Sequence, residues 1–135
     1  MSQNRSPDFD RDAPSMRTFA MPADLNGNGQ VFGGWVMSQM DLAGAAPAIR
    51  IACGPVATVG VEAMKFHRPI AVGDEVNCYT EVERIGNTSI RVRVDVWVRR
   101  YDGTAYKVTE GVFTYVALSK DGKPRPVVPS TPVSV

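Results

Sequence analysis

The sequence predicts an α+β domain: a curved antiparallel sheet of about five strands wrapped around one long central helix. Three observations lead there. The segment from Trp35 to about Cys53 is apolar on nearly every side, as a helix enclosed by other structure would be. Beyond Pro55 the chain reads as long strands separated by turn residues, with the clearest alternation in TSIRVRVDVWVRR at 88–100. The lengths also differ: a strand of about twelve residues spans ~40 Å and a helix of about 18 residues ~27 Å, so a sheet built from such strands must curl to enclose the helix.

Taken in order, residues 1–15 are polar with two prolines and are expected to be a disordered tail. MRTFAM at 16–21 reads as a short strand closed by Pro22. DLNGNGQVFGG is a loop, because Asn-Gly pairs and a double glycine favour turns. The helix follows from Trp35. Pro47 lies inside it and removes one backbone donor, so a kink or a tightened turn is expected there, with the helix ending near Cys53-Gly54-Pro55. Strands are expected at 56–67, 75–85, 88–100 and 105–118, joined through RPIAVGD, Gly86-Asn87 and Asp102-Gly103. In the third of these, Ile90, Val92, Val94, Val96 and Val98 face one way, and Arg91, Arg93, Asp95, Trp97 and Arg99 the other. The domain is expected over 16–128, with 129–135 a flexible proline-containing tail. Open strand edges favour pairing with a second copy.

A chain of 135 residues suits one domain, and 44% hydrophobic with 21% charged residues is the composition of a folded protein. Fifteen basic against fourteen acidic residues leave a charge of +1, which argues against nucleic acid or a membrane surface as a general partner. No apolar run approaches the ~20 residues needed to span a bilayer, and the N-terminal residues lack the apolar stretch of a secretory signal, so a cytoplasmic location is expected. One histidine and two isolated cysteines make no metal-ligand cluster; no metal or cofactor is expected, and Cys53 and Cys78 are expected to be reduced core thiols. Neither a GxGxxG nor a GxxxxGK loop is present.

The chemistry is concentrated in NGNGQVFGGWVMSQMD, where four glycines fall within eight residues and an aspartate follows. Ordering glycines costs backbone entropy. What they can provide is a helix start whose first amides have no intrahelical acceptor, with a dipole favouring negative charge and no side chain to block close approach. Asp41 lies seven residues after Gly34, two turns along the same face and ~10 Å down the axis. His67, the single histidine, is the competing candidate for acid–base work, but it stands at a strand end before Arg68-Pro69.

GQVFGGWVMSQMDLAG followed by VGVEAMKFHRPIAVGDEV resembles the hotdog-fold acyl-CoA thioesterases, and among them the small bacterial YciA-type acyl-CoA thioester hydrolases, over roughly residues 16–128. The resemblance implies a hotdog homodimer, assembled in some members into a hexamer as a trimer of dimers, with active sites between subunits and acyl-CoA as substrate. It implies Asp41 as the catalytic carboxylate, Gly33 and Gly34 as the helix-opening donors, Gln30 at a position that works opposite the partner's aspartate, and Asn26 as a recurrent loop residue. Asp41 as base on water is the preferred chemistry, with direct carboxylate attack through an anhydride as the alternative. Phe32 and Met37 are candidate pocket residues; Thr58 and Glu62, evenly spaced with Gly60, are candidate wall residues; Ser89 matches one of a hydroxyl pair in relatives. The phosphates of coenzyme A call for a basic rim, for which Lys65, Arg68, Arg91, Arg93, Lys123 and Arg125 are the candidates. Two other functions fit the same groove: a non-catalytic acyl-CoA binding or sensing module, and, less favoured because His67 lies in the wrong segment, an acyl-thioester hydratase or dehydratase.

Overall fold

Alternation in the strands sets an inner and an outer face, and the helix is seated on the inner one. The computed structural model describes residues 5–127, apart from the side chains at 63 and 64. Its elements are β1 (Met16–Phe19), a 3-10 turn (Pro22–Asp24), α1 (Gly33–Ala52), β2 (Val56–Phe66), β3 (Glu75–Ile85), β4 (Ser89–Arg99) and β5 (Ala105–Ala117). The strands form one antiparallel sheet in the order β1-β3-β4-β5-β2, curled into a half-barrel around α1. The four long strands and the helix fall where the sequence predicts them, α1 beginning two residues earlier, at Gly33.

The core is the inner face of that sheet against one stripe of helix. Ile90, Val92, Val94, Val96 and Val98 are all fully buried, with Val76 and Cys78 from β3 and Phe113 and Tyr115 from β5. The helix contributes Val36, Met40, Ala43, Gly44, Pro47 and Ala48. Each large aliphatic side chain taken from water here is worth about 1.5–3 kcal/mol. The all-round apolarity of the helix had suggested full enclosure, and the single chain does not achieve it. A five-stranded sheet curls only halfway, so Leu42 remains 58% exposed and Met37 and Ile49 are exposed beside it. On β2, which forms one edge of the sheet, Val59 is 61% exposed.

Pro47 does not end the helix, because its missing donor is replaced. A proline leaves the carbonyl four residues earlier without its usual partner; here that carbonyl, of Ala43, accepts a 2.6 Å hydrogen bond from the Ser15 hydroxyl. Ser15 belongs to the segment whose composition suggested disorder, and the described part of that segment makes specific contacts. Pro7 is buried, Phe9 packs edge-on against Tyr79, Arg99 lies over the Phe9 ring, and Arg17 donates to the Phe9 carbonyl. Trp97, assigned by alternation to the outer face, is buried as well.

The other end of the helix is closed by the chain's last described residues. Cys53 takes the left-handed conformation (φ 53°) that terminates α1, and the Arg125 guanidinium donates to the Ala52 carbonyl at 2.6 Å and the Leu118 carbonyl at 2.9 Å. A cation at this end also complements the helix dipole. Arg125, a rim candidate by sequence, therefore serves as a helix cap. Both cysteines are free, but only Cys78 is a core thiol; Cys53 is exposed. Burial pushes the Cys78 thiol up to about 12.

Two outcomes follow for solution work. Ser15→Ala should lower unfolding stability by about 1 kcal/mol in urea titrations, and by clearly less in a Pro47→Ala background, where residue 47 regains its own donor; an equal cost in both backgrounds would contradict the replacement. At pH 8, Ellman's reagent should titrate one thiol per native chain, Cys53, and two after denaturation.

Candidate active site

The loop before α1 is shaped by Asn26. Its side-chain oxygen accepts from the backbone amides of Asn28 (2.8 Å) and Gln30 (3.2 Å), while its own amide donates to the Gln30 carbonyl at 2.6 Å. Asn26 thus fixes the path of the loop through its side-chain oxygen and backbone amide. Phe32 then enters the helix in an extended conformation, with no side-chain cap. The amides of Trp35 and Val36 both donate to the Phe32 carbonyl, which leaves those of Gly33 and Gly34 without an acceptor among the described residues. A Cβ at Gly34 would meet nothing within 4 Å, so the approach to these amides is open.

Gly33 lines a cleft of about 400 Å³ together with Gln30, Phe66, His67 and Arg68, over a floor that includes Val36, Ile70 and Val108. His67 Nε2 is 2.7 Å from Glu110 Oε2, so the imidazole is held on the cleft wall. Phe32 and Met37 are exposed on the same side of the molecule as the bare end of the helix.

Asp41 lies two turns further along α1 and is half-buried. Its Oδ1 accepts a 2.6 Å hydrogen bond from the Thr58 hydroxyl on β2. Its backbone carbonyl accepts from the Tyr115 hydroxyl at 2.7 Å. Tyr115 reaches it only because residue 44 is glycine, where an added Cβ would lie 2.5 Å from the phenol oxygen. Burial, reinforced by the negative charge of Asp41, raises the Tyr115 pKa far above its usual value, so the phenol remains a donor. Asp41 does not line the cleft that Gly33 lines in the same chain.

The remaining candidates lie elsewhere. Even spacing had put Thr58 and Glu62 on one face of β2, but an extra residue between Thr58 and Gly60 shifts the register against β5 and reverses the alternation. Thr58 faces the helix, whereas Glu62 faces outward and receives both terminal nitrogens of Arg91 at 3.1 Å. Arg93, also outward, is engaged by Asp95, which Lys107 joins at 3.0 Å. Ser89 sits beside Gly86 in the β3–β4 hairpin, and exposed Lys65 lies opposite Glu110. The structure thus groups Gln30, Gly33 and Arg68 with His67, groups Asp41 with Thr58, and leaves Glu62, Arg91 and Arg93 on the outer face. Tyr115 was not among the sequence candidates. The small residue that admits it, Gly44, was visible, but its partner 71 positions later was not.

A single long helix cradled in a curled half-barrel of five antiparallel strands is the hotdog fold. Comparisons with known proteins agree. Residues 28–100 match the thioesterase superfamily model. The chain is 54% identical over 116 residues to the acyl-CoA thioester hydrolase YciA of Salmonella typhimurium, covering 83% of this chain and 87% of that protein. To YciA of Escherichia coli K12 it is 53% identical over 114 residues, covering 82% and 86%. Among solved structures, the hexameric thioesterase y2039 from Yersinia pestis superposes with a TM-score of 0.83 at 50% identity, covering 90% of this chain and 98% of that one. HI0827, a hexameric broad-specificity acyl-coenzyme A thioesterase, superposes at 0.82 with 46% identity, covering 89% and 84%. The chain belongs to the thioesterase superfamily, in its hotdog-fold acyl-CoA branch. Among the described residues no helix is long and apolar enough to cross a membrane, and no group of three metal-ligating side chains occurs.

Gly44→Ala should force the Tyr115 ring from beneath the helix, at a cost of about 1–3 kcal/mol in unfolding stability, measured by denaturant titration. A neutral result would show that the ring can move without consequence for Asp41.

Proposed function

We propose that this protein hydrolyses acyl-CoA to a free carboxylic acid and coenzyme A, with Asp41 as the base on water and the Gly33 and Gly34 amides as donors to the thioester oxygen. The observation that carries the reading is the pair of unsatisfied, unobstructed amides at the start of α1, on the same helix as a carboxylate oriented by Thr58. With Oδ1 engaged by Thr58, Oδ2 has no partner among the described residues and is free to meet a water. As the water oxygen bonds to the thioester carbon, its proton passes to Asp41, and the carbonyl oxygen becomes an anion facing the glycine amides. A donor placed on such an anion can contribute about 3–4 kcal/mol. Collapse of the intermediate breaks the carbon–sulfur bond, and the departing thiolate takes the proton back from Asp41.

We further propose that the working site is formed between two copies. The cleft beside Gly33 and the Asp41 carboxylate lie apart within one chain, the edge of β2 is unpaired, and exposed apolar residues on α1 and β2 flank it. Pairing along β2 would cover those residues and bring the partner's Asp41 to the cleft holding Gly33 and Gln30. The hexameric state of the similar structures supports assembly of three such pairs.

The test is thiol release from acetyl-, butyryl- and palmitoyl-CoA. Asp41→Asn should lower turnover about 100-fold or more with the assembly intact. Thr58→Val should lower it about tenfold, and Thr58→Ser should restore it. An Asp41→Asn protein as fast as the wild type would remove Asp41 as base and direct attention to His67. Tight binding of acyl-CoA without thiol release by the wild type would instead identify a binding module.

A further inference from the structure

We infer that Arg68 and Arg100, organised on the ring of Tyr106 at the lip of the cleft, bind the phosphate groups of the coenzyme A moiety; this deepens the hydrolase reading above and rests on it. The Arg68 guanidinium carbon lies 3.9 Å from the centre of the Tyr106 ring and that of Arg100 lies 5.2 Å from it. Arg100 Nη2 donates to the Tyr106 hydroxyl at 2.7 Å, and that hydroxyl donates to the Pro69 carbonyl at 2.8 Å. Tyr106 is itself buried, and Pro69 lines the cleft next to Arg68. The ring is therefore a fixed platform that gathers two cations where the cleft meets solvent.

What separates Arg68 from the other arginines beside it is that its charge is unanswered. Arg91 is held by Glu62, Arg93 by Asp95 and Arg99 by Glu75. Arg68 is exposed and has no carboxylate partner among the described residues; stacking on an aromatic face orients a guanidinium without neutralising it. Arg100 meets Asp74 at 3.6 Å, a carboxylate that also accepts from the Ala71 amide, and it lies within electrostatic reach of Asp102, so its charge is shared while that of Arg68 is not. Glu110, the acid beside the cleft residue His67, is occupied by that imidazole. A guanidinium presents parallel N–H groups that match phosphate oxygens, so two of them side by side suit a pyrophosphate or phosphomonoester. Arg68 and Gly33 line one cleft, so a thioester at the glycine amides directs the rest of the molecule outward past Arg68. Arg91 and Arg93 lie on the outer face of the sheet, each paired with a carboxylate, and line no part of this cleft.

The experiment compares, by calorimetry on the full-length protein, binding of coenzyme A with binding of pantetheine, which lacks every phosphate. In the wild type coenzyme A should bind more tightly. Arg68→Gln and Arg100→Gln should each reduce the affinity ratio about tenfold and flatten its salt dependence, because a charge-assisted contact to phosphate is lost. An unchanged ratio in both variants overturns the proposal, as does a ratio that falls instead in Arg91→Gln or Arg93→Gln. The two readings fail separately. A wild type that shows the ratio and its loss but releases no thiol keeps the phosphate site and removes the hydrolase. One that releases thiol with an unchanged ratio does the reverse.

Discussion

A helix leaves its first amides and last carbonyls without partners, and in α1 a proline adds a further gap in the middle. Much of the molecule is arranged around those gaps. Ser15 supplies a donor to the carbonyl that Pro47 abandons and Arg125 closes the C-terminal end, while Tyr115 adds a donor to the mid-helix Asp41 carbonyl. These three donors come from the segment before β1, from β5 and from the chain beyond β5. Both ends of the chain are thereby tied to the same element. The beginning of the helix is the exception: the Gly33 and Gly34 amides have no acceptor among the described residues, and the space beside Gly34 is open.

The packing of Asp41 follows from the same arrangement. Tyr115 and Thr58 are paired across β5 and β2, so one rung of the sheet addresses both the carbonyl and the carboxylate of a single helical residue. Gly44, one turn further along, makes room for the phenol. Asp41 is thus held by two side chains from adjacent strands, Thr58 on its carboxylate and Tyr115 on its backbone carbonyl. Under the proposed hydrolase reading that fixing matters, because a base must hold its geometry within a fraction of an ångström to be effective.

Charge is distributed with a similar division. The outer face of the sheet is covered by arginines that are answered by carboxylates, including the two-point contact between Arg91 and Glu62. Such pairs on an exposed surface add little stability, but they keep a strongly charged face close to neutral. On the cleft side the balance differs, since Arg68 rests on Tyr106 with its charge unanswered. The apolar surface is divided too. The inner face of the sheet meets one stripe of α1, while Leu42, Ile49 and Val59 remain outside it, on the side where the edge of β2 is open.

The long strands, their turns, the single helix and the glycine–aspartate spacing were legible in the sequence, because each is set by local periodicity or by residues within a few positions of one another. Resemblance to thioesterases rested on those same contiguous segments. What the sequence left open was everything set by contacts between distant positions. The partner for the Pro47 gap is 28 residues from Ala43, and the donor to the Asp41 carbonyl is 74 residues away. Strict alternation placed Thr58 and Glu62 together, and a bulge, which depends on how β2 registers against β5, placed them on opposite faces. Arginine content suggested a phosphate rim, but which arginines have charge to offer depends on which carboxylates fold against them. Local pattern determined the elements and the uncapped end of the helix; only tertiary packing decided which side chains hold Asp41 and which cations are answered by carboxylates.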